Sequence, residues 1–213
     1  MSDPRTSLVG TTQFDPQSGT YFVNSRFVKA IHTPNTLVLL DELNRAENDV
    51  TNVLLSLLDG QRTLSIDESG LTPVVNVATG VCFFATLNVG NGHYAGTKPL
   101  EPALRDRFGT IFTMDHLPKD REANLLIRRE RISAADAHLL VKIADSQRQL
   151  FKNGDFSVSI STRMLIATAG KAQFMPIQEA IRYSILGHFS ESGGESSDRT
   201  RMRQLLQKFG VIV

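Results

Sequence analysis

The sequence predicts an α/β fold: a parallel-sheet core followed by a segment that is helical throughout. Three observations predict it. Residues 36–40 (TLVLL) and 81–86 (VCFFAT) are apolar runs without polar alternation, the pattern of strands buried on both faces. Between them lies an apolar pattern of helical period. After Pro118 the strand-like runs stop and only helical patterns follow.

Taken in order, the first 35 residues are rich in turn formers (DPRTS, DPQSGT, TPN), around a stretch TYFVNSRFVKAI that suits a short strand and then a helical turn. The strand at 36–40 follows. Residues 44–59 read as a helix, with Leu43, Val50, Val53, Leu54, Leu57 and Leu58 at helical spacing and Gly60 at the capping position. Residues 61–77 (QRTLSIDESGLTPVVNV) suit a hairpin that turns at 67–70. The strand at 81–86 ends at Leu87 and Asn88, a glycine-containing loop leads into KPLEPALRDRFG, and residues 110–114 (TIFTM) make a third short strand. Beyond Pro118, KDREANLLIRRER, SAADAHLLVKIADSQRQLF, STRMLIATAGKAQF and PIQEAIRYSILGHF read as helices, with Ser133 and Ser161 as N-caps. The polar stretch SESGGESSD precedes a last helix, DRTRMRQLLQKF. The expected domains are an α/β core over 1–117, a helical part over 118–190, and a linker with a C-terminal helix over 191–213.

Composition narrows the function. The chain has 213 residues, 41% hydrophobic and 21% charged, with a formal charge of +1. That composition buries a core and sets up no overall field toward nucleic acid or anionic membrane. One cysteine, Cys82, allows no disulfide framework and is expected as a small buried side chain. The five histidines are scattered and form no H-E-x-x-H pair, so a zinc hydrolase is not supported. MSDPRTSLVG carries no basic-then-apolar leader pattern, and no apolar run reaches membrane-spanning length; a reducing cytoplasm is the expected setting.

The candidate chemistry lies at strand ends. In open parallel sheets ligands bind beyond the carboxyl ends of the strands. Asp41, Glu42 and Asn88 fall at such ends, and Arg105 and Arg107 lie just before the third strand. Phosphoryl transfer uses this inventory: a carboxylate for magnesium, an acidic group for the attacking water, a polar group that fixes it, and an arginine worth about 10³–10⁵ in rate. Singly, each residue has a plainer role. An acidic pair opens helices, asparagine occupies turns, and arginines are solvated. Their joint spacing favours the chemical role.

Together these residues resemble an AAA+ ATPase of the MoxR-like group, with its CbbQ/NorQ and dynein-related relatives. LVLLDELNRA resembles the Walker B strand and the helix after it. LLSLLDGQRTLSIDESG with PVVNV resembles the helix and hairpin before sensor 1, CFFATLN the sensor-1 strand, and EPALRDRF the arginine-finger segment. SLVGTTQFDPQSGTYFVNSRFVKAI is similar to the segment ahead of Walker B, and STR at 161–163 falls where a sensor-2 arginine sits. The resemblance implies a P-loop NTPase-type AAA+ core with an α-helical lid, binding ATP and Mg²⁺. It implies Asp41 as magnesium support, Glu42 as the group that polarises water, Asn88 as sensor 1, and Arg107, with Arg105 its companion, as a finger acting on a neighbouring subunit. Arg163 would be sensor 2. It also implies a homo- or hetero-oligomeric ring, typically a hexamer, acting on a protein client for which the hairpin at 64–77 is a candidate grip.

One part of the pattern is absent. No G-x-x-x-x-G-K-[ST] occurs, and the only Gly-Lys, Gly170–Lys171, sits in a helical pattern and precedes alanine. In the family the strand leading to that loop lies between the sensor-1 strand and the last strand. The expectation is an N-terminally incomplete protein, lacking its first strands, that alone neither binds nor hydrolyses ATP appreciably. Two other functions compete: a non-catalytic partner that lends its arginines to a complete ATPase, and a nucleic-acid-associated NTPase like McrB or the helicases. The last rests on Arg128, Arg129, Arg131 and the basic tail, and the net charge of +1 disfavours it.

Overall fold

The computed structural model describes residues 8–66, 74–88 and 98–212. The chain divides into two compact units, Met1–Phe112 and Thr113–Val213. The glycines at 90, 92 and 96 and the hairpin turn expected at 67–70 lie outside the described residues.

The first unit opens with an antiparallel hairpin of β1 (Gly10–Asp15) and β2 (Gly19–Asn24), in register from Gly10 opposite Asn24 to Asp15 opposite Gly19. Asp15 Oδ1 closes the turn by accepting from the backbone N–H groups of Gln17 and Ser18, both at 2.9 Å. Strand β1 is not apparent in the sequence, because GTTQFD has one large apolar residue and mostly exposed positions. Helix α1 (Arg26–Ile31) follows, its first turn capped by Ser25 Oγ, which accepts from Val28 N–H at 3.0 Å.

Strands β3 (Leu37–Leu40) and β6 (Cys82–Ala85) pair in parallel, Leu37 opposite Cys82 and Leu40 opposite Ala85. Between them in the chain come α2 (Asn48–Leu58) and the antiparallel pair β4 (Thr63–Ser65) and β5 (Val74–Asn76). The two arms of the expected hairpin therefore do pair. The short helix α3 (Pro102–Arg105) buries Leu104. The core of this unit gathers Val38, Leu54, Leu57, Leu64, Ile66 and Leu104.

Three expectations are corrected here. Residues 44–59 are not one helix: a 3₁₀ turn, Leu43–Arg45, is followed by extended backbone at Ala46 and Glu47, and α2 starts at Asn48. The strands are not buried on both faces. Their register puts Val38, Leu40, Phe83 and Ala85 toward the core, while Leu37, Leu39 and Phe84 stand 71%, 63% and 56% exposed, with Cys82 also exposed on that side. Residues 110–114 form no strand, and Phe112 and Met114 are exposed. The last two corrections have different causes: the Leu37, Leu39 and Phe84 face has no covering layer among the described residues, and residues 110–114 pair with no described strand, which a strand's backbone donors and acceptors require.

The exposure of Cys82 is directly measurable. A disulfide-exchange reagent added to the native chain should label this thiol completely, as fast as in denaturant to within about tenfold. Protection of several orders of magnitude would show the thiol inside a core.

The second unit is a helical bundle of α4 (Lys119–Glu130), α5 (Ala134–Lys152), α6 (Thr162–Ala172), α7 (Ile177–Ser184) and α8 (Asp198–Lys208). Ser133 and Ser161 cap α5 and α6 as expected, accepting from Asp136 N–H at 3.0 Å and Met164 N–H at 3.2 Å. Leu126, Leu140, Ile143, Leu165, Ile181 and Leu206 share one core, so α8 packs into the same bundle as α4–α7.

That core holds a charge pair. Arg148 donates from Nη1 and Nη2 to the two carboxylate oxygens of Glu122 at 2.8 and 2.9 Å, and from Nε to Ile160 O at 2.8 Å. Thr162 Oγ1 donates to Glu122 Oε1 at 2.6 Å. Gln147 completes the clamp, accepting from Ile160 N–H at 2.8 Å and donating to Val158 O at 2.7 Å. A fork-to-fork geometry with each remaining polar atom engaged is what makes a buried pair tolerable.

Candidate functional site

The polar cluster in the first unit is built where β3 and β6 end. Backbone bonds continue the parallel pair past its last residues: Thr86 N–H donates to Leu40 O and Leu43 N–H to Thr86 O, each at 3.0 Å. Thr86 Oγ1 then sits between the acidic residues. It donates to Asp41 Oδ1 and accepts from Glu42 N–H at 2.9 Å. The threonine hydroxyl thereby fixes one oxygen of Asp41; among the described residues Asp41 Oδ2 has no partner.

Glu42 faces Asn88 directly. Asn88 Nδ2 donates to Glu42 Oε1 at 3.2 Å, while Arg45 Nε meets Glu42 Oε2 at 3.1 Å across a half-exposed pair. Glu42 adopts left-handed backbone, φ +51. That conformation is uncommon for a residue other than glycine and is held here by the Thr86 and Leu43 bonds on either side.

Asn44 ties the base of the cluster. Buried to 8% exposure, it donates from Nδ2 to Asn88 O at 3.1 Å and Lys98 O at 3.2 Å, and accepts from Asn88 N–H at 3.3 Å. The backbone of Asn44 is engaged too: its carbonyl accepts from Lys98 N–H at 3.2 Å rather than from a helical N–H four residues on. Thr86, Asn44 and Arg45 were not singled out from sequence. Their one available signal was position, within two or three residues of the acidic pair or of Asn88.

The two arginines of α3 and the residues after it differ. Arg107 Nε donates to Leu55 O at 3.0 Å and Nη1 to Ala103 O at 2.5 Å, so its guanidinium is occupied by backbone of its own unit. Arg105 is exposed, and among the described residues it has no ion-pair or hydrogen-bond partner for its side chain. Arg163 belongs to the second unit, exposed at the start of α6.

The donor set suits magnesium better than it suits a nucleotide. Among the described residues no cluster of three or more acidic, histidine or cysteine side chains could hold a metal by itself. Magnesium does not need one: it keeps several waters and takes one or two carboxylates together with substrate phosphates. Asp41 and Glu42 fit that demand. The phosphates are another matter, since no phosphate-binding loop occurs in the 213 residues.

The sequence pattern of the AAA domain (dynein-related subfamily) matches residues 3–108, the unit that carries this cluster, and the CbbQ/NirQ/NorQ C-terminal pattern matches residues 122–207. The chain belongs to the dynein-related AAA family. It is 37% identical over 166 residues to a candidate chaperone, BssE of Thauera aromatica, across 75% of this chain and 54% of the relative. It is 30% identical to an uncharacterized protein of Staphylococcus saprophyticus, across 78% and 61% of the two chains. It is also 30% identical to the aerobic cobaltochelatase subunit CobS of a Sinorhizobium species, across 74% and 50%. The matched stretch thus spans about half to three-fifths of these relatives. The α/β unit followed by the helical bundle is the arrangement of an AAA+ core and its C-terminal helical part. No described helix is long and apolar enough to cross a membrane.

Proposed function

We propose that the ends of β3 and β6 form the metal- and water-handling side of an ATP site in an oligomeric remodelling ATPase. The observation that carries this is the 3.2 Å hydrogen bond from Asn88 Nδ2 to Glu42 Oε1, which joins the two strand ends over the acidic pair. In this proposal Asp41, the Walker B aspartate, turns its free Oδ2 toward magnesium or a water bound to it. Magnesium, when bound, neutralises phosphate charge. Glu42 accepts a hydrogen bond from the attacking water and orients it, and Asn88, as sensor 1, holds the Glu42 carboxylate at a fixed angle. Arg163 is sensor 2. The phosphate cradle comes from residues other than these. The assembly is a ring, hexameric in this proposal, that couples ATP turnover in the cytoplasm to remodelling of a protein client. Relatives named as a candidate chaperone and as a cobaltochelatase subunit support that role.

The arginine finger can be assigned by experiment. Arg107 was the first choice from sequence, but it would have to give up two backbone bonds to reach a neighbour, whereas Arg105 has no side-chain partner to give up among the described residues. In an assembly with a complete AAA+ subunit, Arg105→Ala should lower turnover by about 10³-fold and leave the unfolding midpoint unchanged. Arg107→Ala should destabilise the first unit by about 1–3 kcal/mol through its orphaned carbonyls. Turnover retained in Arg105→Ala and lost in a still-folded Arg107→Ala would return the role to Arg107.

A second reading is a subunit that binds no nucleotide and lends only its arginine to a complete ATPase. The exposed Arg105 guanidinium, without a partner among the described residues, favours it. Stimulation of such an ATPase by the Glu42→Gln chain, equal to that by the unaltered chain, would select this role.

A further inference from the structure

Helix α4 carries a face that its own fold does not use. Its inner side buries Glu122, Ala123 and Leu126. The opposite stripe, at the i, i+3, i+4 and i+7 positions, presents Arg121, Asn124, Leu125 and Arg128, with Arg129 beside them, and these residues line an open concavity of about 460 Å³.

Local helix physics accounts for part of this. Arg128 and Arg129 lie in the last turn, where cations complement the helix dipole. Arg129 in addition pairs with Glu130 at 3.1 Å. Arg121 is different. It lies in the first turn, where a positive charge opposes the dipole; of its two acidic neighbours in sequence, Glu122 is turned inward and committed to Arg148, and exposed Asp120 makes no ion pair with it among the described residues. Among the described residues neither Arg121 nor Arg128 meets a carboxylate. Leu125 stands half-buried between them.

We propose that this stripe docks an acidic amphipathic helix of a partner protein. Arg121 and Arg128 are seven residues apart, about 10.5 Å along the axis at 1.5 Å per residue. Two carboxylates one heptad apart on a partner helix have the same separation, and an apolar residue between them would meet Leu125 and the arginine stems. The apolar centre selects protein over nucleic acid, whose backbone offers charge at every step and nothing for a leucine. The net charge of +1 adds no field to attract a polyanion. A second copy of the chain is not the occupant, because none of its described helices exposes two carboxylates seven residues apart. The proposal does not depend on the nucleotide site.

The test uses the full 213-residue chain and a fluorescein-labelled synthetic helix with glutamates seven residues apart and a leucine between them. Anisotropy should report salt-sensitive binding. Affinity should fall at least tenfold for R121E/R128E and severalfold for Leu125→Ala, with unchanged circular dichroism. A peptide with lysine in place of glutamate should bind the R121E/R128E chain and not the original. If the charge reversal misfolds, R121Q/R128Q serves, with the same loss expected. No binding, equal binding by a folded variant, or displacement of the peptide by a more tightly held DNA duplex overturns the proposal.

Discussion

Replacing Arg148 with alanine should destabilise the helical unit by about 3–5 kcal/mol, because it leaves the Glu122 carboxylate buried without its counter-charge. For a unit of this size that is a fall of roughly 15–30 °C in unfolding midpoint. Glu122 Oε2 and the carbonyl of Ile160 lose their partners in the same change, while Glu122 Oε1 keeps the Thr162 hydroxyl. A loss under about 1 kcal/mol would mean that water reaches the pair.

The pair also sets a pH dependence. Burial pushes the Glu122 carboxyl up, but the Arg148 hydrogen bonds, the Thr162 hydroxyl and the Arg148 charge outweigh it, and the net direction is down from the ordinary glutamate value. The folded state therefore binds fewer protons than the unfolded one as pH falls. The stabilisation is fully present above the unfolded value of about 4.3 and is lost as pH drops through the lower, folded one. Midpoints measured from neutral pH into acid should fall steeply below that value for the unaltered chain and be flatter for Glu122→Gln.

Asn44→Ala should be nearly as damaging to the first unit. It strips partners from Asn88 N–H, Asn88 O and Lys98 O, at about 1–3 kcal/mol for each group that stays buried. It should also release Asn88 from Glu42, since Asn44 is what fixes the Asn88 backbone. The Asn88 side-chain amide resonances should then shift to solvent-exposed values. A variant in which those resonances stay put, with a midpoint unchanged, would remove Asn44 from any part in the site.

The helical half was legible because its signals are local. Period-3.6 apolar positions and serine caps at 133 and 161 are properties of single segments, and each helix closes its own hydrogen bonds. The parallel strands were legible as strands but not in their burial. An unbroken apolar run such as TLVLL says that both faces can be covered, and only the number of neighbouring strands and helices says whether they are. Residues 110–114 show the same limit, a strand-like composition that pairs with no strand among the described residues. At the site, the acidic pair and Asn88 stood out by type and position. Thr86 and Asn44 did not, because their work is done across 44 or more residues of sequence, by hydrogen bonds that no spacing rule encodes.

In the proposed role, Asp41, Glu42 and Asn88 are one side of an ATP site whose phosphate cradle lies in other residues. Phosphate release from MgATP tests it most directly, measured for the chain alone and for the chain mixed with the phosphate-loop segment of a dynein-related AAA relative. The account predicts no release by the chain alone, release by the mixture, and a loss of about 10²–10⁴-fold when the mixture carries Glu42→Gln. Release by the chain alone, or a mixture as active with Glu42→Gln as without it, would contradict the account.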